Sequence, residues 1–174
     1  LVIVAHAPHA GREVSDEHRR AWWRRLTVPT EKYREDGRIT ILLIDANARI
    51  GVDQSECVGG RDGEATCVNG ELYHEYLQKC RIVLPATWDC YHSGDGHTWF
   101  SPHGPGARID YCGIGLDHRA AIDESRVLHE VDLSIKREDH RPVMVGLKYV
   151  ASGSRKKVWR KKAVFNRALL NDPV

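Results

Sequence analysis

Four short segments hold the residue types that phosphate chemistry uses. They are His6-Ala7-Pro8-His9, Asp45-Ala46-Asn47, Arg108-Ile109-Asp110-Tyr111 and Asp139-His140-Arg141-Pro142. Each follows or interrupts an apolar run that reads as a strand. If those strands lie side by side, their ends converge on one surface. The combined inventory is three carboxylates, an amide and at least two imidazoles. Such a set can hold a divalent metal, activate a water and stabilise a phosphate. Singly, each segment has a plainer reading. A carboxylate after a strand commonly forms a turn or caps a helix. Asp139-His140 ahead of Pro142 is by itself a charged turn. Arg108 and Asp110 suit a cross-strand ion pair, and His6 suits a bond to the backbone. Their conjunction is what points to a site.

The elements that must position these groups follow from periodicity. Leu1–Ala5 and Ile39–Ile44 are continuous apolar runs, the mark of buried strands. Ser15 to Leu26 reads as a helix with Ser15 as its N-cap, and Trp22 and Trp23 read as packing residues. Residues 30–38 are charged, with a turn at Gly37. Residues 51–68 are Gly-rich and polar and read as a loop. Asn69 caps a second predicted helix over Gly70–Lys79, where Leu72, Tyr73, Tyr76 and Leu77 have helical spacing. Short strands are expected at Arg81–Leu84, His97–Phe100, Arg108–Ile114, Val127–Leu133 and Val143–Val150. Leu116–Ser125 reads as a short helix. This mixture points to an α/β layered domain. No G-x-G-x-x-G and no phosphate-binding loop motif occurs, so no nucleotide cofactor is signalled.

Composition narrows the class. The chain has 174 residues, 41% of them hydrophobic, with 26 Lys+Arg against 24 Asp+Glu. No apolar stretch is long enough to span a membrane, and the N-terminus lacks the pattern of a signal peptide. The chain begins inside a strand and without Met, so it reads as cut from something longer. Residues 154–174 carry seven basic groups and one acid, net +6; residues 1–153 carry 19 basic and 23 acidic groups, net −4. An acidic body does not advertise nucleic-acid binding, but it suits carboxylates neutralised by a cation. The tail, with Lys156, Lys157, Arg160 and Lys161, reads as a solvated linker, a grip on a phosphate backbone or a nuclear-localisation patch. Trp159 and Phe165 within it suit stacking on bases or packing on the domain. Five cysteines without C-x-x-C signal neither a disulfide framework nor a standard zinc site. They read as reduced thiols of an intracellular protein.

Six pieces together resemble the endonuclease/exonuclease/phosphatase superfamily. They are V-A-H-A-P-H, L-L-I-D-A-N-A, N-G-E-L-Y-H-E-Y-L, H-T-W-F-S-P, R-I-D-Y and D-H-R-P-V. R-I-D-Y followed by D-H-R-P-V is the most specific pair. The N-G-x-L helix and the T-W-x-x-P strand look most like the endonuclease domains of non-LTR retroelements. The resemblance covers residues 1–150; residues 151–174 are set apart as a basic tail or linker. It implies an α/β (α+β) fold, a four-layer β-sandwich of the DNase I-like type. The chain would supply only the C-terminal portion of it, somewhat over half.

The resemblance also implies roles. Asp45 would orient or deprotonate the attacking water, and Asn47 would bond the phosphate and place that water. His140 would contact a non-bridging phosphate oxygen. Asp110 would fix the His140 tautomer. Asp139 would lie beside the metal, Mg²⁺ or Mn²⁺. His6 would face the scissile phosphate. Thr98, Trp99, Asn69 and Arg108 would serve substrate binding, Thr98 and Trp99 at the floor. The implied activity is Mg²⁺-dependent phosphodiester hydrolysis, with DNA as partner and a linked reverse transcriptase as a further expectation. An inositol-phosphate phosphatase or a sphingomyelin phospholipase is the alternative enzyme. A degenerate remnant that binds nucleic acid through its tail is the alternative without catalysis.

There are departures from the pattern. The family's G-D-F-N is here Ile44-Asp45-Ala46-Asn47. Glu138 replaces the usual Ser or Thr before the Asp-His pair. The main metal ligands of the family, an Asn and a Glu, would precede Leu1. A second half without its first would leave a sheet face bare, so the chain alone is expected to be marginally stable.

Overall fold

In the computed structural model the described residues are 1–9, 11, 13–34, 37–51, 53–101, 104–131 and 139–148. The expectations for the tail, including Lys156, Lys157, Arg160 and Lys161, lie outside them, as does Glu138. A four-stranded sheet forms the centre, in the order β1 (Val2–His6), β2 (Ile41–Asp45), β6 (Asp110–Gly115) and β3 (Ile82–Val83). β1 runs parallel to β2, and β6 is antiparallel to both β2 and β3. The parallel pair needs a crossover, which α1 (Asp16–Tyr33) supplies. Helix α2 (Val68–Cys80) then leads into β3.

Both helices pack on one face of this sheet. Leu42 and Ile44 of β2 and Tyr111 of β6 bury against Trp23 of α1 and Leu72, Tyr73, Tyr76 and Leu77 of α2. Trp23 stacks on Tyr73 with ring centroids 5.1 Å apart, and Tyr73 meets Tyr111 at 5.3 Å. Trp23 is thus a core residue, in line with its reading as a packing residue.

The opposite face is covered unevenly. A hairpin-like ribbon of β7 (Ile122–Val127) and β8 (Val143–Leu147) lies over the β6 side, joining Cys112 and Ile114 to Ile122, Val143 and Val145. Ile41 of β2 still reaches that cluster, but the face is open over β1 and the middle of β2. Val2, Val4 and Leu43 are 62%, 77% and 42% exposed there. A second small pair, β4 (Trp99–Phe100) with β5 (Gly106–Ala107), sits beside the end of β6.

Several local expectations change. Ser15 does cap α1, accepting from the His18 N–H at 3.2 Å. The helix, however, runs through Pro29 to Tyr33 rather than stopping at Leu26. Proline cannot donate within the helix, but the turns around it are tied by side chains. Thr30, buried, donates to the Leu26 carbonyl at 2.8 Å and meets the Tyr76 hydroxyl at 3.1 Å. Asn69 is not the cap of α2; Cys67 holds that position and Asn69 lies in the first turn. Leu116–Ala121 is a 3₁₀ helix, and the strand follows at once as β7, earlier than the expected Val127–Leu133. All five cysteines are free. No helix is long and apolar enough to cross a membrane among the described residues.

Candidate active site

The strand register builds the first part of the site. His6 pairs with Asp45 across β1 and β2, and Asp45 pairs with Asp110 across β2 and β6. Side chains alternate along a strand, so these three project from the same face as the apolar rows Val4–Leu43–Cys112 and Val2–Ile41–Ile114. They form its polar end. His6 Nε2 lies 3.4 Å from Asp45 Oδ2. The Asp45 Oδ1 atom accepts the Asn47 N–H at 2.9 Å. This Asx turn lets Asn47 adopt φ +45°, a conformation that Asn tolerates better than most residues. The Asn47 amide then donates to the Ala7 carbonyl at 2.9 Å, tying the β2 end to the β1 end.

His140 completes the row from another segment. It bridges to Trp99 of β4, and neighbouring backbone bonds fix it there. Phe100 N–H donates to the Asp139 carbonyl at 2.7 Å, and Arg141 N–H donates to the Thr98 carbonyl at 2.7 Å. His140 Nδ1 then donates to Asp110 Oδ2 at 2.9 Å. That bond selects the tautomer and leaves Nε2 as the free ring nitrogen. Burial pushes the Asp110 carboxyl above its ordinary range, and the charge of Asp45 adds to this. Hydrogen bonds from Thr98 and His140 oppose it.

Thr98, Asn69 and Arg108 lie beneath the site, where they hold backbone groups. Thr98 is 1% exposed, and its Oγ1 accepts the N–H groups of Ile109 and Asp110 at 3.1 and 3.0 Å. It sets the end of β6 from beneath. Asn69 is fully buried. Its amide donates to the carbonyls of Pro8 (2.7 Å) and Asn47 (3.1 Å), so it clamps the ends of β1 and β2 together. Arg108 is 3% exposed, and its guanidinium donates to the carbonyls of Ala86, Arg61 and Asp62. It staples loops and makes no cross-strand pair with Asp110. Buried groups cannot meet a substrate, and short polar motifs do not reveal which side of the backbone they face. Trp99 does line an open cleft of about 310 Å³ with Asn47, Arg49, Cys67, Ala107, Ile109 and His140. Arg49 was not among the residues expected from sequence. Its signal was the alternation in Asp45-Ala46-Asn47-Ala48-Arg49-Ile50, where every second residue is small or apolar.

Asp45, Asp110 and His140 bring ligand atoms within 4.8 Å of one another, so they could hold a metal ion. The donor set does not suit magnesium by itself. Mg²⁺ demands six oxygen ligands in octahedral geometry. Here one Asp110 oxygen is engaged by His140, one Asp45 oxygen by Asn47, and the third donor is an imidazole nitrogen. Asp139, the expected metal residue, is exposed and lies outside this cluster.

No protein-family model matches the chain, and no curated protein sequence does. Solved structures do share its fold. A 3′-5′ exonuclease (NExo) from Neisseria meningitidis superposes with a TM-score of 0.60 at 19% identity, over 84% of this chain and 61% of its own. An AP endonuclease from Archaeoglobus fulgidus gives 0.57 at 14%, over 85% and 62%. A 3′ phosphatase from Neisseria, bound to product DNA hairpin, gives 0.55 at 22%, over 76% and 54%. The fold is therefore the DNase I-like fold that these structures share. The chain spans less than two thirds of each of these neighbours' own length.

Proposed function

We propose that residues 1–148 form the phosphate-handling wall of a phosphodiesterase that cleaves DNA. The observation that carries this reading is the Asp110–His140 bond at the end of the His6–Asp45–Asp110 row. A carboxylate at Nδ1 orients the ring and leaves Nε2 to face a non-bridging phosphate oxygen as charge builds in the transition state. Asp45, fixed through its Oδ1, presents Oδ2, with His6 Nε2 3.4 Å away, for orienting a water or taking its proton. Asn47 retains its carbonyl oxygen for that water, because the amide nitrogen is engaged by Ala7. Asp110 and Thr98 act through His140 and are positioning residues. Phosphoryl transfer depends chiefly on such alignment and charge stabilisation.

A requirement for Mg²⁺ is part of the proposed activity, with ligands beyond the described residues. No step above runs through the metal. The basic tail and the N-G-x-L and T-W-x-x-P segments support DNA as substrate and a retroelement-type endonuclease. Because one structural neighbour is a 3′ phosphatase bound to product DNA hairpin, release of a terminal phosphate from DNA is the second reading.

The test is plasmid nicking with Mg²⁺ by the longest natural polypeptide that contains these residues. His140→Ala is expected to lower nicking by orders of magnitude. Nicking unchanged by that substitution overturns the assignment. Release of inorganic phosphate from 3′-phosphorylated DNA without nicking selects the second reading.

A further inference from the structure

We infer that Arg49 is a substrate-contacting residue that binds a phosphate of a nucleic-acid strand next to the one held at His140. This rests on the proposed phosphodiester chemistry of the site and adds a residue and a substrate requirement to it. The chain after β2 keeps the two-residue alternation of a strand. Ala46, Ala48 and Ile50 are buried, while Asp45 and Asn47 are partly open and Arg49 is exposed. Arg49 is thus the third member of a series whose first two members belong to the site. It lines the same cleft as Asn47, Trp99 and His140.

The backbone at Arg49 is held from several directions. Its N–H donates to Cys67 Sγ at 3.4 Å. The Tyr111 hydroxyl donates to the preceding carbonyl, Ala48 O, at 3.0 Å. The Arg49 carbonyl packs so tightly on α2 that a Cβ at Gly70 would lie 2.0 Å from it, so only glycine fits there. The guanidinium, by contrast, makes no hydrogen bond or ion pair with any described residue. A fixed backbone that presents an unspent guanidinium to a cleft is poorly explained by stability. Arg108 shows the alternative, since its guanidinium is spent on three carbonyls.

Electrostatics give the reason for a cation here. A strand whose phosphate reaches His140 must pass Asp45 and Asp110, both carboxylates. Apart from His140, Arg49 is the one basic residue among the described residues lining the cleft. Its forked donors match two phosphate oxygens. An isolated phosphate fills only the His140 end, so the arrangement selects a strand over a lone monoester.

Cys67 lines the same cleft, and Cys90 is exposed elsewhere. Alkylation of the two thiols, mapped by peptide mass spectrometry, therefore reports cleft occupancy with an internal control. It needs no catalysis. A single-stranded DNA oligonucleotide is expected to slow alkylation of Cys67 several-fold and leave Cys90 unchanged. Inorganic phosphate at equal phosphate concentration should not protect. Arg49→Ala should abolish most of the protection by DNA, and Arg49→Lys should restore part of it. The slope of log K against log salt should shrink by about 0.7 in Arg49→Ala. Equal protection and slope in wild type and Arg49→Ala overturn the role of Arg49 while leaving the phosphodiesterase reading in place. DNA that binds neither protein overturns both.

Discussion

The two faces of the central sheet are built from the same strands and have opposite fates. On one, Leu42, Ile44 and Tyr111 disappear under α1 and α2. On the other, Val2, Val4 and Leu43 stand in solvent, and the row that continues them is His6, Asp45 and Asp110. The covered face supplies cohesion. The open face carries the polar row at its end, where a substrate can reach it. Apolar side chains of this size are seldom arrayed openly across adjacent strands unless something binds them. The chain spans 54% to 62% of the length of these structural neighbours.

The sharpest way to break this comparison is to truncate one residue on the covered face. Leu42 is fully buried. Leu42→Ala should cost about 2–5 kcal/mol, the transfer term plus a cavity. Urea denaturation followed by tryptophan fluorescence would read it, since Trp23 belongs to the same cluster. For a chain with an uncovered face, a loss of that size is expected to abolish the cooperative transition. A loss below about 1 kcal/mol would mean that this core collapses readily around the gap.

Acid should act next most strongly, through histidines away from the site. Burial depresses the His92 pKa below 6.5, helped by Arg61 and Arg108 and opposed by Asp62. Burial also depresses His74, opposed by Asp53. In the unfolded chain both take up protons near pH 6.5; in the folded chain they do so only at lower pH. Their contribution to stability is complete above pH 6.5 and is lost as the pH falls through the depressed values. Each proton gives a slope of at most about 1.4 kcal/mol per pH unit. Asp110 has the opposite sign, because a raised carboxyl pKa returns stability as the pH falls. Melting temperatures that fall from pH 7 to 5, and fall less in His92→Gln, are the expected result.

The same contrast separates what was legible in the sequence from what was not. The strands β1 and β2 and the core helix around Tyr73 announced themselves by apolar runs and helical spacing. The constellation of Asp45, Asp110 and His140 was visible because polar motifs stood at strand ends. The burial of Asn69, Arg108 and Thr98 was not visible. A polar side chain in a short motif looks alike whether it faces a ligand or ties two loops beneath it. The extension of α1 past Pro29 was hidden too, because contacts such as Thr30 with Tyr76 join residues distant in sequence. Arg49 carried only a faint period-two signal, in a segment that ends in a turn.

A smaller effect tests whether the open face trades stability for its site. Burial, with Asp45 beside it, raises the Asp110 pKa. Asp110→Asn removes a half-buried carboxyl that its surroundings disfavour as an anion and keeps a similar shape. The melting temperature at pH 7 should stay unchanged or rise slightly, while nicking falls sharply because His140 loses the carboxylate behind Nδ1. A clear drop in melting temperature would instead make the Asp110–His140 pair a net stabilising element of the fold.

The smallest effect on stability is expected where the exposed apolar area is largest. Val4 is 77% exposed and sits in the middle of an edge strand. Val4→Thr keeps the β-branched shape that suits a strand and removes no buried contact. It should change stability by less than about 0.5 kcal/mol. It should nevertheless reduce self-association, because β1 offers another molecule an apolar face and an edge that no described residue pairs with. Light scattering against concentration would measure this, with Leu43→Thr added to the same face. Lower scattering at unchanged stability is the signature of a surface that does no work within this chain alone. A stability loss matching that of Leu42→Ala would show that the open face is closed in solution by another copy of the chain.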